Sequence, residues 1–430
     1  MAAPLWARQN IFSGENDTMY RTILIILALL LQLQARPAGQ DSLSLRLKQL
    51  EQEVALLKAR QEENELQKLR QEAGQAAEQG DEGSSNSKVF KSGQRSLQAI
   101  NPEISFTGDG YALAAPQNRC GRQQPHSGFA FRVLGLHVQS SLDPFSLAKV
   151  ALEFRPDEGV ELGEVYVTWA DLAPGLSLTA GKFRQQFGIV NRWHVHSLDQ
   201  YAFPLALTTL LGEEGLNQSG LSLDWLVSAP WADATNVTLQ ITNGSSPHLF
   251  AGEDFSFPAL LFRLGNYYDF NENTYLEIGF TGMGGSNAAH GGIGRGDHMT
   301  RLAGMDLTLA WEPVNRARYS GFIWRSELFY VDRNDAAERI RALGGYSYVQ
   351  YRLSERWQTG LRFDITQPFQ AANSGDYQYQ WVPYLTWWQS HWARFRLEYT
   401  TGGAKNMTAP TSRLRLQLTW AIGPHKHERY

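Results

Sequence analysis

From Glu103 onward the chain alternates apolar and polar residues with a period of two, in about sixteen separate runs, and this repetition limits the fold more than any other feature. The run nearest the C-terminus is the plainest. Leu414, Leu416, Leu418, Trp420 and Ile422 alternate with Arg413, Arg415, Gln417, Thr419 and Ala421. A soluble sheet with one wet face gives the same pattern, so a single run decides nothing. The connections decide it. Links after even-numbered runs are mostly short turns, such as Asp171 to Gly175, Ser354 to Glu355 and Gln389 to His391. Links after odd-numbered runs are often long, as at 114–127, 186–217, 283–299 and 367–376. Short periplasmic turns alternating with longer outer loops are the pattern of outer-membrane barrels, and a β-sandwich has no reason to show it. The expected fold is all-β: a transmembrane antiparallel β-barrel of about sixteen strands over 103–422. Trp311, Trp381, Trp387, Trp388 and Trp420 fall near run ends, where interfacial girdles need them.

Composition agrees and narrows the alternatives. Aromatic residues make up 12% and charged residues only 19%, yet the mean hydropathy is negative. A bundle of membrane-spanning helices is thereby excluded, because each span needs about 20 apolar residues and only one short run near the start is continuously apolar. The formal net charge of -4 and the lack of a basic run argue against nucleic acid as a partner. With Cys120 as the single cysteine, no intramolecular disulfide is possible.

The first hundred residues read as three segments. Residues 1–39 hold an upstream extension and a signal peptide, with Arg21 before the apolar run Ile23 to Leu31 and small residues at Ala35, Ala38 and Gly39. Met19 is the expected initiator, cleavage is expected after Ala38 or Gly39, and an uncleaved anchor is the alternative. Over 41–73, Leu43, Leu47, Leu50, Val54 and Leu57 alternate steps of four and three, the seam of a periplasmic coiled coil or, failing association, of a single frayed helix. Residues 74–102 read as a flexible linker and 423–430 as a periplasmic tail.

Alternation fixes both faces of a strand, so apolar residues toward lipid put the intervening residues in the lumen. The inward set then includes Arg362, Asp364, Arg394, Arg396, Glu398, Arg413 and Arg415, with Lys149, Glu153, Arg155, Asp224, Arg263, Asp306, Arg325 and Glu327 on earlier strands. Such a charge density is costly in a dry interior, which points to a water-filled lumen. Arg394, Arg396, Arg413 and Arg415 form a patch that attracts anions, or else pair with Glu398 and Asp364 and stiffen the wall. The long segment 186–217 is more apolar at Phe203, Leu205, Leu207, Leu210 and Leu211 than an exposed loop should be. Burial inside the barrel explains that, and by analogy with sixteen-stranded barrels whose third outer loop folds inward, Arg192, His194, His196, Glu213 and Glu214 are the expected constriction residues. His194 and His196 share a face if extended, and Glu213 or Glu214 completes a zinc site in the metal-binding alternative. His425 and His427 repeat the spacing in the tail.

The run Gly181-Lys182-Phe183, followed by Phe187-Gly188, resembles the signature of the phosphate-selective porin family, porins O and P. That resemblance implies a signal peptide, a periplasmic coiled coil, a sixteen-stranded trimeric barrel and an inward third outer loop. Leu211-Gly212-Glu213-Glu214-Gly215-Leu216-Asn217, with the two histidines upstream, also resembles small barrels labelled zinc-regulated TonB-dependent outer membrane receptors. A receptor of the TonB-dependent kind carries a plug domain and a larger barrel, and 430 residues hold neither. No nucleophile elbow or paired-carboxylate motif marks an enzyme. The functional expectation is therefore a porin in a Gram-negative outer membrane, passing small hydrophilic solutes, with lipid and two further copies of the chain as partners. A structural or adhesive barrel is the alternative.

Overall fold

In the computed structural model, the described residues are 102–115, 127–156, 158–246, 248–251, 258–287, 298–335, 338–371, 375–405 and 411–423. All belong to the second of two compact units, Phe90–Tyr430. The signal, coiled-coil and linker expectations, Cys120 and the tail histidines lie outside the described residues.

Sixteen antiparallel strands close into one barrel. The first eight are β1 (Glu103–Ala114), β2 (Gly128–Asp143), β3 (Ser146–Arg155), β4 (Gly159–Ala173), β5 (Leu176–Arg184), β6 (Asn217–Val227), β7 (Ala234–Thr242) and β8 (Ala259–Asn271). The rest are β9 (Thr274–Ser286), β10 (Met299–Trp311), β11 (Gly321–Asp335), β12 (Glu338–Arg352), β13 (Trp357–Thr366), β14 (Gln378–Trp388), β15 (Ala393–Ala404) and β16 (Thr411–Ile422). Each strand pairs with its sequence neighbours, and β1 pairs with β16 over Phe106–Ala114 to close the ring. Closure leaves no edge carrying unpaired amides, which a bilayer would not tolerate. Every one of the sixteen alternating runs corresponds to a strand.

The burial pattern follows the alternation. In β16, Leu414, Leu416 and Leu418 are exposed on the outer face, and Arg415, Gln417 and Thr419 are buried on the inner one. Trp357, Trp387 and Phe395 stack along neighbouring strands, with centroids 6.3 and 5.7 Å apart, at the short-link end of the barrel.

Apart from irregularities beside the short turns, two β-bulges within the strands break the period. In β2, Arg132 is an extra residue opposite Asp109 and Gly110 of β1. In β4, Gly163 is extra between Leu162 and Glu164, opposite Ala151 and Leu152 of β3. An extra residue reverses the facing of everything beyond it. Thus Leu162 is exposed on the outside and Glu164, two residues on, is buried inside.

Candidate functional site

The segment 185–216 between β5 and β6 lies inside the barrel, and its path starts in the sequence around Gly181. Gly181 has φ +139, and a Cβ there would collide with the backbone of Val165 and Tyr166 on β4. Two residues later Phe183 is buried, and Phe187 stacks on Phe329 of β11 with centroids 6.1 Å apart. Gly188 then takes the left-handed conformation (φ +68) where a side chain would strike the Glu327 carboxylate. That carboxylate accepts the Val190 N–H at 2.9 Å. The glycine–phenylalanine pattern is thus the instruction that turns the chain off the wall and into the lumen.

Asn191 ties the two ends of the segment together. Its Nδ2 donates to Gln185 O (2.8 Å) and Leu216 O (3.1 Å), and its Oδ1 accepts Leu216 N–H (2.8 Å). Between these ends the segment makes two 3-10 turns, Val190–Arg192 and Val195–Ser197, and one helix, α1 (Leu205–Leu211).

Irregular backbone inside a barrel must find partners for its amides and carbonyls. The wall supplies them from charged groups. Arg394 Nη2 donates to His196 O (2.5 Å) and Leu198 O (3.2 Å), and Arg396 Nη2 donates to Leu198 O at 2.9 Å. Arg362 Nη1 donates to Gln200 Oε1 (3.0 Å) and Ala202 O (2.8 Å), and Glu398 Oε2 accepts Tyr201 N–H at 2.7 Å. From the other side Arg132 Nη1 donates to Tyr201 O at 2.6 Å. The Tyr201 ring lies 4.1 Å from the Arg132 guanidinium and 3.6 Å from that of Arg415.

The arginines anticipated as one patch therefore separate by role. Arg415 pairs with Glu398 (3.3 Å) and Arg362 with Asp364 (3.1 Å), while Arg394 and Arg396 anchor the segment. Arg413 stands nearest the long-link end of β16, and its Nε has no hydrogen-bond partner among the described residues.

The lumen is not water-filled throughout, as the density of inward charge had suggested. Phe187, Ile189, Val190, Leu198, Ala206, Leu207, Leu210 and Leu211 pack against Leu261, Met283, Leu302, Phe329, Val331 and Tyr346 of the wall, forming a dry core within the barrel. Leu249 and Phe250, from the link after β7, join it. Charges beside this core are satisfied by each other: Arg263 makes a two-pronged bond to Asp306 at 2.5 and 2.8 Å.

The opposite side is open. A cavity of about 450 Å³ is lined by Ser105, His137, Lys149, Glu164, Tyr166 and Thr168 on β1–β4 and by Arg184, Ser222, Asp224 and Gln240 on β5–β7. Arg192, His194, His196 and Ser197 of the inward segment bound it, and Glu103, Gln139 and Leu147 reach it at the short-link end. His194 Nε2 donates to Glu164 Oε2 at 2.8 Å, and its Nδ1 lies 3.5 Å from Glu153 Oε1. The His194 ring stacks 5.6 Å from His196, and His137 meets both edge-on at 4.9 and 5.0 Å.

Glu213 and Glu214 do not join the histidines. Both are exposed, and Glu214 pairs with Arg155 at 2.7 Å, reaching His194 only through Arg155 and Glu153. The two glutamates sit past α1, where the chain is already returning to β6. Among the described residues no group of three or more His, Cys, Asp or Glu is arranged to hold a metal ion. Residues that the alternation did not mark include Arg132, His137, Glu164, Asn191 and Tyr201. Arg132 and Glu164 sit at the two bulges, where the period misdirects.

No family model matches the chain. It is 24% identical over 269 residues to an uncharacterized protein of Aquifex aeolicus; the match takes in 57% of this chain and spans only 56% of that relative's length. Solved structures share the fold. The anion-selective porin from Comamonas acidovorans superposes with a TM-score of 0.52 at 10% identity, covering 75% of this chain and 99% of that one. OprB of Pseudomonas putida gives 0.52 at 9% identity over 76% and 96%, and the outer-membrane channel DcaP of Acinetobacter baumannii gives 0.50 at 11% identity over 75% and 96%.

Proposed function

We propose that the chain is an outer-membrane porin through which small hydrophilic solutes diffuse passively, without catalysis or energy coupling, assembled as a homotrimer. The observation that carries this reading is the polar cavity left beside the inward segment: one side of the lumen is packed dry, and the other keeps Lys149, Arg192, Asp224 and three histidines on an open volume of about 450 Å³. A purely structural barrel has no use for that asymmetry. Segment 185–216 is the constriction, and Arg192, His194 and His196 are its cavity-facing residues.

Anion preference is the finer version, and it rests on the long-link mouth, where Arg415 and Arg132 pair with Glu398 and Asp109 and Arg413 adds a charge that no described acid pairs. Zinc-linked transport is the second reading; three imidazoles meet at the cavity but are not arranged around a metal position, so it requires His137, His194 and His196 to turn toward the ion. Single-channel conductance of the refolded protein in a planar bilayer tests all three. Stepwise openings in triplets support a trimeric porin. A reversal potential displaced toward the anion value in a salt gradient supports the arginine mouth. Block by zinc, abolished in His194→Ala/His196→Ala, supports the metal reading. Silence from a well-folded barrel sinks the porin and leaves the structural or adhesive alternative.

A further inference from the structure

Among the described residues the outer wall carries a cluster of charges on β10–β12 that the channel does not use. β11 and β12 are among the longest strands and are joined at the long-link end by residues 336–337 alone. On their lipid-facing side Arg301 of β10, Asp332 of β11 and Arg341 of β12 stand in register on three adjacent strands. Arg339 joins them from the next position along β12, bonded to Asp332 at 2.6 Å, and Arg341 Nε lies 3.6 Å from the same carboxylate. Two guanidiniums thus meet one carboxylate on an exposed face, with Arg339 and Arg341 about half accessible, and Arg301 stands in register beside it.

Two residues toward the barrel middle the same strands present Ala303, Tyr330 and Leu343, and two further on Met305 and Leu328. Of these, Tyr330, Leu343, Met305 and Leu328 are exposed. The face therefore reads, from rim to middle, basic, then aromatic and apolar, then fully apolar. Several other outward positions near the long-link ends are apolar, as at Phe129, Val160, Leu260 and Leu414, and where Lys182 faces outward its ammonium is bonded to Leu162 O. An excess of two positive charges held above a hydrocarbon-facing surface complements one kind of neighbour: a lipid with phosphate in its headgroup and alkyl chains beneath.

We infer that this sector of β10–β12 binds a phosphate-bearing lipid of the leaflet at the long-link side, with Arg301, Arg339 and Arg341 on its phosphates and the Tyr330–Leu343–Leu328 face along its chains. Asp332 spaces the guanidiniums and keeps them splayed outward. The inference rests on the barrel sitting in the outer membrane and is independent of what passes through it.

Native mass spectrometry of the full chain in neutral detergent tests it, with a bisphosphorylated diglucosamine lipid as probe and phosphatidylethanolamine and inorganic phosphate as controls. The expected result is a retained adduct with the bisphosphorylated lipid alone. Retention should fall at least about ten-fold in Arg301→Ser/Arg339→Ser/Arg341→Ser and rise in Asp332→Asn. Equal retention in the triple variant overturns the inference. So does displacement by millimolar inorganic phosphate, which marks a site for the free anion. Loss of oligomer rather than of lipid in the triple variant overturns it too, since the face is then a subunit contact. Conductance of the triple variant should match the parent, so failure here and failure of the porin reading are separate results.

Discussion

A carbonyl held inside a barrel has little water to bond, so each one that meets an arginine is fixed by a charge, and removing that charge leaves it unmet at a cost of about 1–3 kcal/mol. Arg394→Ser/Arg396→Ser should therefore release His196 O and Leu198 O, loosen the inward segment and raise the conductance increment. Arg413→Ser should do something different: the reversal potential should move toward zero at unchanged increment, because Arg413 holds no part of the segment. A planar bilayer separates the two outcomes, and identical effects in both variants would refute the division of labour. A pH effect belongs to this scale as well. The His248 imidazole donates to Thr209 O at 3.0 Å and packs on Phe369 with centroids 4.1 Å apart. Burial pushes it below its ordinary value, the bond to Thr209 opposing and Arg333 reinforcing the shift. Such a group binds fewer protons folded than unfolded, so its contribution is complete above about pH 6.5 and is lost as pH falls further. The Leu249 amide, bonded to Ser246 O at 3.0 Å, should then be less protected from hydrogen exchange at pH 5 than at pH 8 once the slower intrinsic rate in acid is corrected for, and a His248→Ala variant should lose that difference.

Among the elements, the inward segment is the one whose structure is least regular and whose anchoring is most specific. Asn191→Ala removes three buried hydrogen bonds between its two ends, so limited proteolysis should cut the segment faster while the strands stay protected. Unchanged cleavage would mean that the wall arginines alone hold it. The sixteen strands were legible because lipid on one side and lumen on the other force a period of two along most of each strand. The inward course of 186–217 was legible in its leucines, which need burial that no outer loop provides. Three things were hidden, each for a physical reason. The bulges at Arg132 and Gly163 reverse facing, so alternation skipped Arg132 and Glu164. Asn191 belongs to a clamp made by backbone groups, which leave no mark in side-chain pattern. The division of the lumen into a dry half and a polar half depends on which wall the segment leans against, and that is a property of distant strands.

For the whole molecule, the apolar girdle is the chief constraint. Leu397 is exposed on the outer face of β15, in register with Leu385 and Leu416 on the flanking strands. Leu397→Arg places a charge in hydrocarbon near mid-strand and should cost about 2–4 kcal/mol, read as a lower midpoint of unfolding from lipid vesicles. A shift within error would argue that this face meets protein or water instead. The anchoring of the inward segment also dictates a chronology. Val190 finds Glu327 at a separation of 137 residues, and His196 finds Arg394 at 198. Neither meeting can happen until the later strands have been laid down, and contacts so distant along a chain form late. The dry contacts of the segment need β8–β12, and the clamp on its backbone carbonyls at His196 and Leu198 waits for β15. Until β8–β12 stand together its leucines have no wall to cover them, and a chain cut short before those strands would expose them to other chains.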